Sequence, residues 1–141
     1  MNVSSIGGRL TLPLSALYGG SKFAVEGISA SLSYGMREIG VRVKLVEPGM
    51  IKTNFVNAME FSNDGSLSEY QRLVGKLWEV AGSMAANGAD AATAAAVIFT
   101  ATTDATDQLR YSAGEDARHL AARRSSASKA PHQFSVGMRS A

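Results

Sequence analysis

The clearest hydrophobic pattern in the chain has a helical period. Val25, Ile28, Leu32 and Met36 recur at three- and four-residue spacing, which predicts a helix from about Tyr18 to Arg37, with Gly40 placed to end it. The period then shortens to two. Val41-Arg42-Val43-Lys44-Leu45-Val46 alternates and is rich in β-branched residues, the mark of a strand, and Pro48-Gly49 stops it. Ahead of the helix, Val3, Ser4 and Ser5 read as the end of a strand whose beginning is absent. Residues 6–17, with two glycines, Pro13 and Ser15, read as a loop. A strand, a helix of about 20 residues and a second strand predict a right-handed parallel crossover.

Downstream the pattern is helix-rich. Residues 50–65 are irregular and mixed. Leu67, Tyr70, Leu73, Val74, Leu77 and Trp78 have helical spacing and predict a helix over 66–82. Asn87, with Asp90 three residues on, resembles an N-terminal cap for an Ala-rich helix through about Ala101 whose apolar face includes Ala94, Val97 and Ile98. Leu109 to Ala113 predicts a short strand and Glu115 to Arg124 a last helix. Residues 1–124 then form one domain. Residues 125–141, rich in Ser, Ala and Lys with Pro131, are expected to form a loosely ordered basic tail. No internal repeat is apparent.

Composition narrows the classes. At 141 residues the chain suits a single domain, and 45% hydrophobic with 18% charged residues is ordinary globular usage. The 14 glycines follow no collagen period. No apolar run approaches the roughly 20 residues of a membrane helix, and the N-terminus has neither the basic start nor the apolar run of a signal peptide. With no cysteine, disulfides, iron–sulfur clusters and thiolate zinc sites are excluded. His119 and His132 lie 13 apart and suggest no metal site. A cytoplasmic protein without a membrane partner is the expectation. The net charge of +2 divides into +4 from Arg110 onward and −2 before it. The basic end lacks the interleaved aromatics of a base-stacking platform and reads as a solvated tail, so no nucleic-acid partner is expected.

The candidate chemistry lies at the start of the first helix. Tyr18 and Lys22 are four residues apart, which places both side chains on one helical face. A lysine cation beside a phenol favours the phenolate, and a tyrosine so tuned can exchange a proton near neutral pH. The pair alone also fits a surface aromatic–lysine contact. Context adds to it. Ser5 lies 13 residues before Tyr18 at the C-terminal end of a strand, where ligands bind in parallel α/β sheets. Pro48-Gly49 ends the next strand on the same side, with Thr53 four residues beyond Gly49.

The segments Asn2-Val3-Ser4-Ser5-Ile6-Gly7-Gly8, Tyr18-Gly19-Gly20-Ser21-Lys22-Phe23-Ala24-Val25-Glu26-Gly27 and Val46-Glu47-Pro48-Gly49-Met50-Ile51-Lys52-Thr53 resemble the classical short-chain dehydrogenases/reductases in both letters and spacing. Arg110-Tyr111-Ser112-Ala113-Gly114 is similar to that family's last strand and turn, and the resemblance covers roughly residues 2–120. It implies a partial doubly wound, Rossmann-like α/β fold made of the last three parallel strands and their helices. It also implies hydride transfer between NAD or NADP and an alcohol or ketone. By the resemblance, Ser5 positions the substrate oxygen and Tyr18 is the acid in reduction and the base in oxidation. Lys22 assists the tyrosine and bonds the nicotinamide ribose, and the backbone around Pro48, Gly49, Ile51 and Thr53 holds the carboxamide. Ser4 is the competing serine, and the 13-residue separation favours Ser5. Tyr34, Tyr70 and Tyr111 have no lysine four residues on. Residues 54–86 correspond to a lid, in which Phe55, Phe61, Leu73, Leu77 and Trp78 either shape an apolar pocket or simply pack.

The sequence departs from the family in its first half. No Gly-x-x-x-Gly-x-Gly follows any strand, and the Asn-Asn-Ala-Gly segment and the residue that selects NAD or NADP are absent. The expectations are an open strand edge at Ser5, an exposed apolar patch on the first helix and no activity from this chain by itself. The competing expectation is a non-catalytic remnant that pairs through the 18–37 helix, as a homo- or hetero-oligomer, with a full-length relative.

Overall fold

A computed structural model describes residues 1–127. The elements run β1 (Asn2–Val3), a 3-10 turn (Ile6–Gly8), α1 (Ala16–Glu38), β2 (Leu45–Pro48), β3 (Ile51–Lys52), α2 (Ser68–Ala86), β4 (Ala89–Asp90), α3 (Ala91–Thr103), β5 (Arg110–Ala113) and α4 (Glu115–Ala127). Three parallel strands form the main sheet in the order β1-β2-β5, in the Rossmann-like arrangement expected. β3 and β4 pair in parallel as a separate two-stranded unit. No helix among the described residues is long and apolar enough to cross a membrane.

The alternation of β2 sends its side chains to two different environments. On one face Val46 joins Tyr111, Ala113 and Ala101 in a buried apolar cluster, with Ala94, Val97 and Ile98 of α3 packed on it. On the other face stands Glu47, whose side chain has no solvent exposure. Arg9 reaches it at 3.3 Å and Arg110 at 3.2 Å. The Arg110 Nε also donates to Glu26 of α1 at 2.9 Å. Nearby, Asn2 donates to Ser29 of α1 at 2.9 Å.

Glu26 and Ser29 are therefore the residues that α1 buries, in place of its apolar series. Ile28 is 58% and Leu32 45% exposed. The hydrophobic spacing located the helix correctly, but of its series only Val25 and Met36 are half-buried, and Ile28 and Leu32 point away from the sheet. A second polar network closes the opposite end of the sheet. Lys44 donates to the carbonyls of Thr106 and Gln108 and to the Tyr111 hydroxyl, which donates to Asp104 at 2.6 Å. That bond, with those from Thr106, holds the Asp104 carboxyl down at about 2.

Local boundaries follow identifiable bonds. α1 ends at Gly40 (φ +74°), where Val41 N–H reaches the Met36 carbonyl and Gly40 N–H that of Arg37, a Schellman closure. β2 begins at Leu45 rather than Val41, because its two neighbours first meet it there, at Asn2 and Arg110. Asn87 closes α2 instead of opening α3. Its amide and side chain both bond Ser83, and Asp90 precedes α3. β3 falls in the stretch 50–65 read as irregular and β4 in the segment read as a helix cap, since two-residue strands carry no detectable period. α4 runs to Ala127, three residues into the segment expected to be loosely ordered, and residues 128–141 lie outside the described residues.

Burial raises the Glu47 carboxyl above its ordinary value of 4.5, with Arg9 opposing and Glu26 reinforcing the rise. The folded chain then holds this proton more tightly than the unfolded chain does. Its favourable contribution is full below pH 4.5 and is lost as pH rises through the raised value. Urea midpoints measured across that interval should fall with rising pH more steeply in the wild type than in Glu47→Gln. Equal slopes would remove Glu47 from the titration.

Candidate active site

The C-terminal ends of β1 and β2, the N-terminus of α1 and the turn after β5 lie on one edge of the sheet, the edge that receives ligands in open parallel sheets. Ser5 stands just past β1. Its Oγ accepts from Gly7 N–H at 3.0 Å and so caps the 3-10 turn. Ser4 points the other way. It is buried beneath Gly8, and its Oγ has no protein hydrogen-bond partner. Of the two serines, Ser5 is the more exposed.

Tyr18 occupies the first turn of α1, and its ring packs across Gly7. A Cβ at Gly7 would lie 3.4 Å from both Ser5 Oγ and Tyr18 Cε1, so Ser5 and Tyr18 flank this glycine closely. Lys22 Nζ lies 5.9 Å from the centre of the Tyr18 ring. It also donates to the Val3 carbonyl at 3.5 Å. Asn2 and Ser4 direct their N–H groups to β2, so the Val3 carbonyl faces the open side of β1. Ser5, Tyr18 and Lys22 thus gather around the end of β1 through the Gly7-Gly8 turn. Gly8 permits the close seating of α1, because a Cβ there would meet the Lys22 carbonyl at 2.9 Å and Ser4 Oγ at 2.8 Å.

The second wall is the Pro48-Gly49-Met50 turn. Gly49 N–H bonds the Ala113 carbonyl at 2.9 Å. Ile51 begins β3, and Thr53 is exposed, with its hydroxyl donating to the Ile51 carbonyl and accepting from Phe55 N–H. Phe55 then crosses to the Tyr18 ring at 5.9 Å between centroids. Phe61 and Trp78 stack edge to face at 5.0 Å. Leu73 and Trp78 are exposed, and Leu77 is half-buried. Of these apolar side chains, Phe55 lies against the tyrosine ring. The sequence reading missed Asp116, which accepts from Met50 N–H at 2.7 Å. Its available signal was an acid in the first turn of a helix that follows a strand and Gly114.

The arrangement suits one end of a nicotinamide dinucleotide. A phenol, an ammonium and a hydroxyl gather at the end of β1, groups of a kind that could hold a ribose and a carbonyl oxygen. A pyrophosphate needs an open glycine-rich turn before a helix N-terminus. Gly7 and Gly8 are buried and Gly8 is packed on three sides, so they do not provide that cradle.

Comparison with known proteins points to one family. The short chain dehydrogenase sequence model matches residues 1–63. An uncharacterised oxidoreductase of Schizosaccharomyces pombe is 43% identical over 115 residues, covering 82% of this chain and 48% of that protein. The human dehydrogenase/reductase SDR family member 9 is 45% identical over 60 residues, 43% of this chain and 18% of its own. A crystal structure of a short-chain dehydrogenase from Streptomyces avermitilis superposes with a TM-score of 0.70 at 27% identity, covering 92% of this chain and 46% of that one. The chain spans about half the length of the first of these curated relatives.

The packing at the two glycines gives a direct check. Gly8→Ala should lower stability by about 2 kcal/mol through overpacking against backbone. Gly20→Ala, on an open helical surface with nothing within 4 Å, should raise it by about 0.5–1 kcal/mol. Thermal unfolding of the two variants measures both, and equal effects would mean that Gly8 is not at a tight seat.

Proposed function

We propose that this chain is a member of the short-chain dehydrogenase/reductase family and supplies the catalytic half of an NAD(P)-dependent oxidoreductase acting on an alcohol or ketone. The observation that carries the reading is the placement of Ser5 and Tyr18 on either side of Gly7, with Lys22 one turn further along the same helix. In this reading residues 1–124 are the working domain and 54–86 its lid. Tyr18 donates a proton to the carbonyl oxygen in reduction and recovers one from the hydroxyl in oxidation. Ser5 hydrogen-bonds that same oxygen and holds it beside the phenol. The Lys22 ammonium stabilises negative charge arising on the phenol oxygen and bonds the ribose. Backbone groups at Pro48, Gly49 and Ile51, with Thr53, hold the carboxamide. NAD or NADP, when bound, supplies or accepts the hydride. Phe55, lying on Tyr18, limits water at the proton-transfer step.

No described segment provides a pyrophosphate cradle, so turnover in this reading requires a second polypeptide segment beside β1. Ketone reduction would be followed by NADH or NADPH absorbance, with the chain alone and with the upstream half of the fission-yeast relative supplied. Activity is expected only with that half present, falling at least ~10³-fold in Tyr18→Phe and ~10²-fold in Ser5→Ala. Full activity in Tyr18→Phe would overturn the acid–base assignment. Activity of the chain alone would overturn the requirement for a second segment.

The alternative role, pairing with another copy or with a full-length relative, draws on the outer face of α1. Leu17, Ile28, Leu32 and Tyr34 are all exposed there. Sedimentation should find the wild type associated and an Ile28→Asp, Leu32→Asp double variant monomeric. A monomeric wild type would remove this interface.

A further inference from the structure

Asp116 lies where three backbone segments meet. Its Oδ2 accepts from Met50 N–H at 2.7 Å. A Cβ at Gly49 would overlap its carboxylate, and a Cβ at Gly114 would come within 2.7 Å of Oδ1. With the Asp116 carboxylate where it is, neither position accepts a Cβ. Gly114 also has φ +103°, a conformation open to glycine, and this bend brings the first turn of α4 back over the end of β2. Met50 is held from its other side as well. Its carbonyl accepts from Ala89 N–H at 2.9 Å, and Ala89 opens β4, which pairs with Ile51 and Lys52. One residue is thus tied by its N–H to α4 and by its carbonyl to β4. The lid leaves the fold and returns to it at this junction.

We propose that Asp116 is a positioning residue. Its carboxylate fixes the Gly49-Met50 turn, and through Met50 the base of the lid, so that the backbone of residues 49–53 is set before any ligand arrives. The proposal rests on the reading of that turn as the nicotinamide-holding wall. The bond suits the task, because an amide hydrogen bond to a carboxylate is stronger and shorter than one to a neutral acceptor. The ligand-facing backbone then needs no reordering on binding.

Amide hydrogen exchange on the whole chain, read by NMR, tests this without turnover. Asp116→Ala should accelerate exchange at Met50 and Ala89 by about tenfold or more. The sheet amides of Ser4 and Leu45 should stay within about threefold of the wild type. Asp116→Asn keeps a side-chain oxygen and should restore most of the protection. Gly49→Ala should be strongly destabilising beside Asp116 and tolerated in the Asp116→Ala background, a coupling that a general structural role would not produce. Unchanged exchange at Met50, acceleration spread equally over the sheet, no rescue by Asn, or an equal cost of Gly49→Ala in both backgrounds would each overturn the assignment. Tyr18→Phe should leave the exchange pattern unaltered, so failure of the catalytic reading and failure of this one are separately visible.

Discussion

The buried carboxylate of Glu47 is the interaction on which the arrangement of the site depends. A fully buried charge is tolerated only when it is paired, and Glu47 is paired twice, with Arg9 and with Arg110. Arg110 extends the network to Glu26 and thereby fixes which side of α1 lies on the sheet. Arg9 lies just past the 3-10 turn and draws that turn over the same charge. Tyr18 and Lys22 are carried on α1, and Ser5 caps the turn. The geometry of the three candidate groups is therefore referred to one central strand through ion pairs, with hydrophobic packing confined mainly to the opposite face of the sheet.

That division has consequences for both faces of α1. The face against the sheet is polar and matched pairwise, so its register is specific: Glu26 meets Arg110 and Ser29 meets Asn2. The outward face keeps Leu17, Ile28, Leu32 and Tyr34 exposed. The open edge of β1 completes the picture. Val3 is 46% exposed, and its outward carbonyl is contacted by Lys22. An edge of this kind is a natural place for another strand to add.

Much of the architecture was legible in the primary structure. The strand–helix–strand order, the stop at Gly40 and the final strand near Arg110 to Ala113 each follow from a local signal, whether a period, a glycine or a β-branched run. The candidate site was legible for the same reason, because Ser5, Tyr18, Lys22 and the Pro48-Gly49 turn keep fixed spacings in short segments. The short strands β3 and β4 were not, since two residues cannot display a period and their pairing joins positions 38 apart. Asn87 was misassigned because Asn serves at either end of a helix, and only its bonds to Ser83 show which end it serves here.

Sequence by itself thus determined where the elements lie and which chemical groups stand at which spacing, because helix and strand periods and turn residues act over a few positions. Only the tertiary structure decided which face of α1 is inside and what holds the turn after β2. The hydrophobic period of α1 pointed to Ile28 and Leu32, but Glu26 is buried by a partner 84 residues away. The Met50 amide is likewise held by a carboxylate 66 residues away. Contacts at such separations are set by which strands become neighbours, and no local pattern records that.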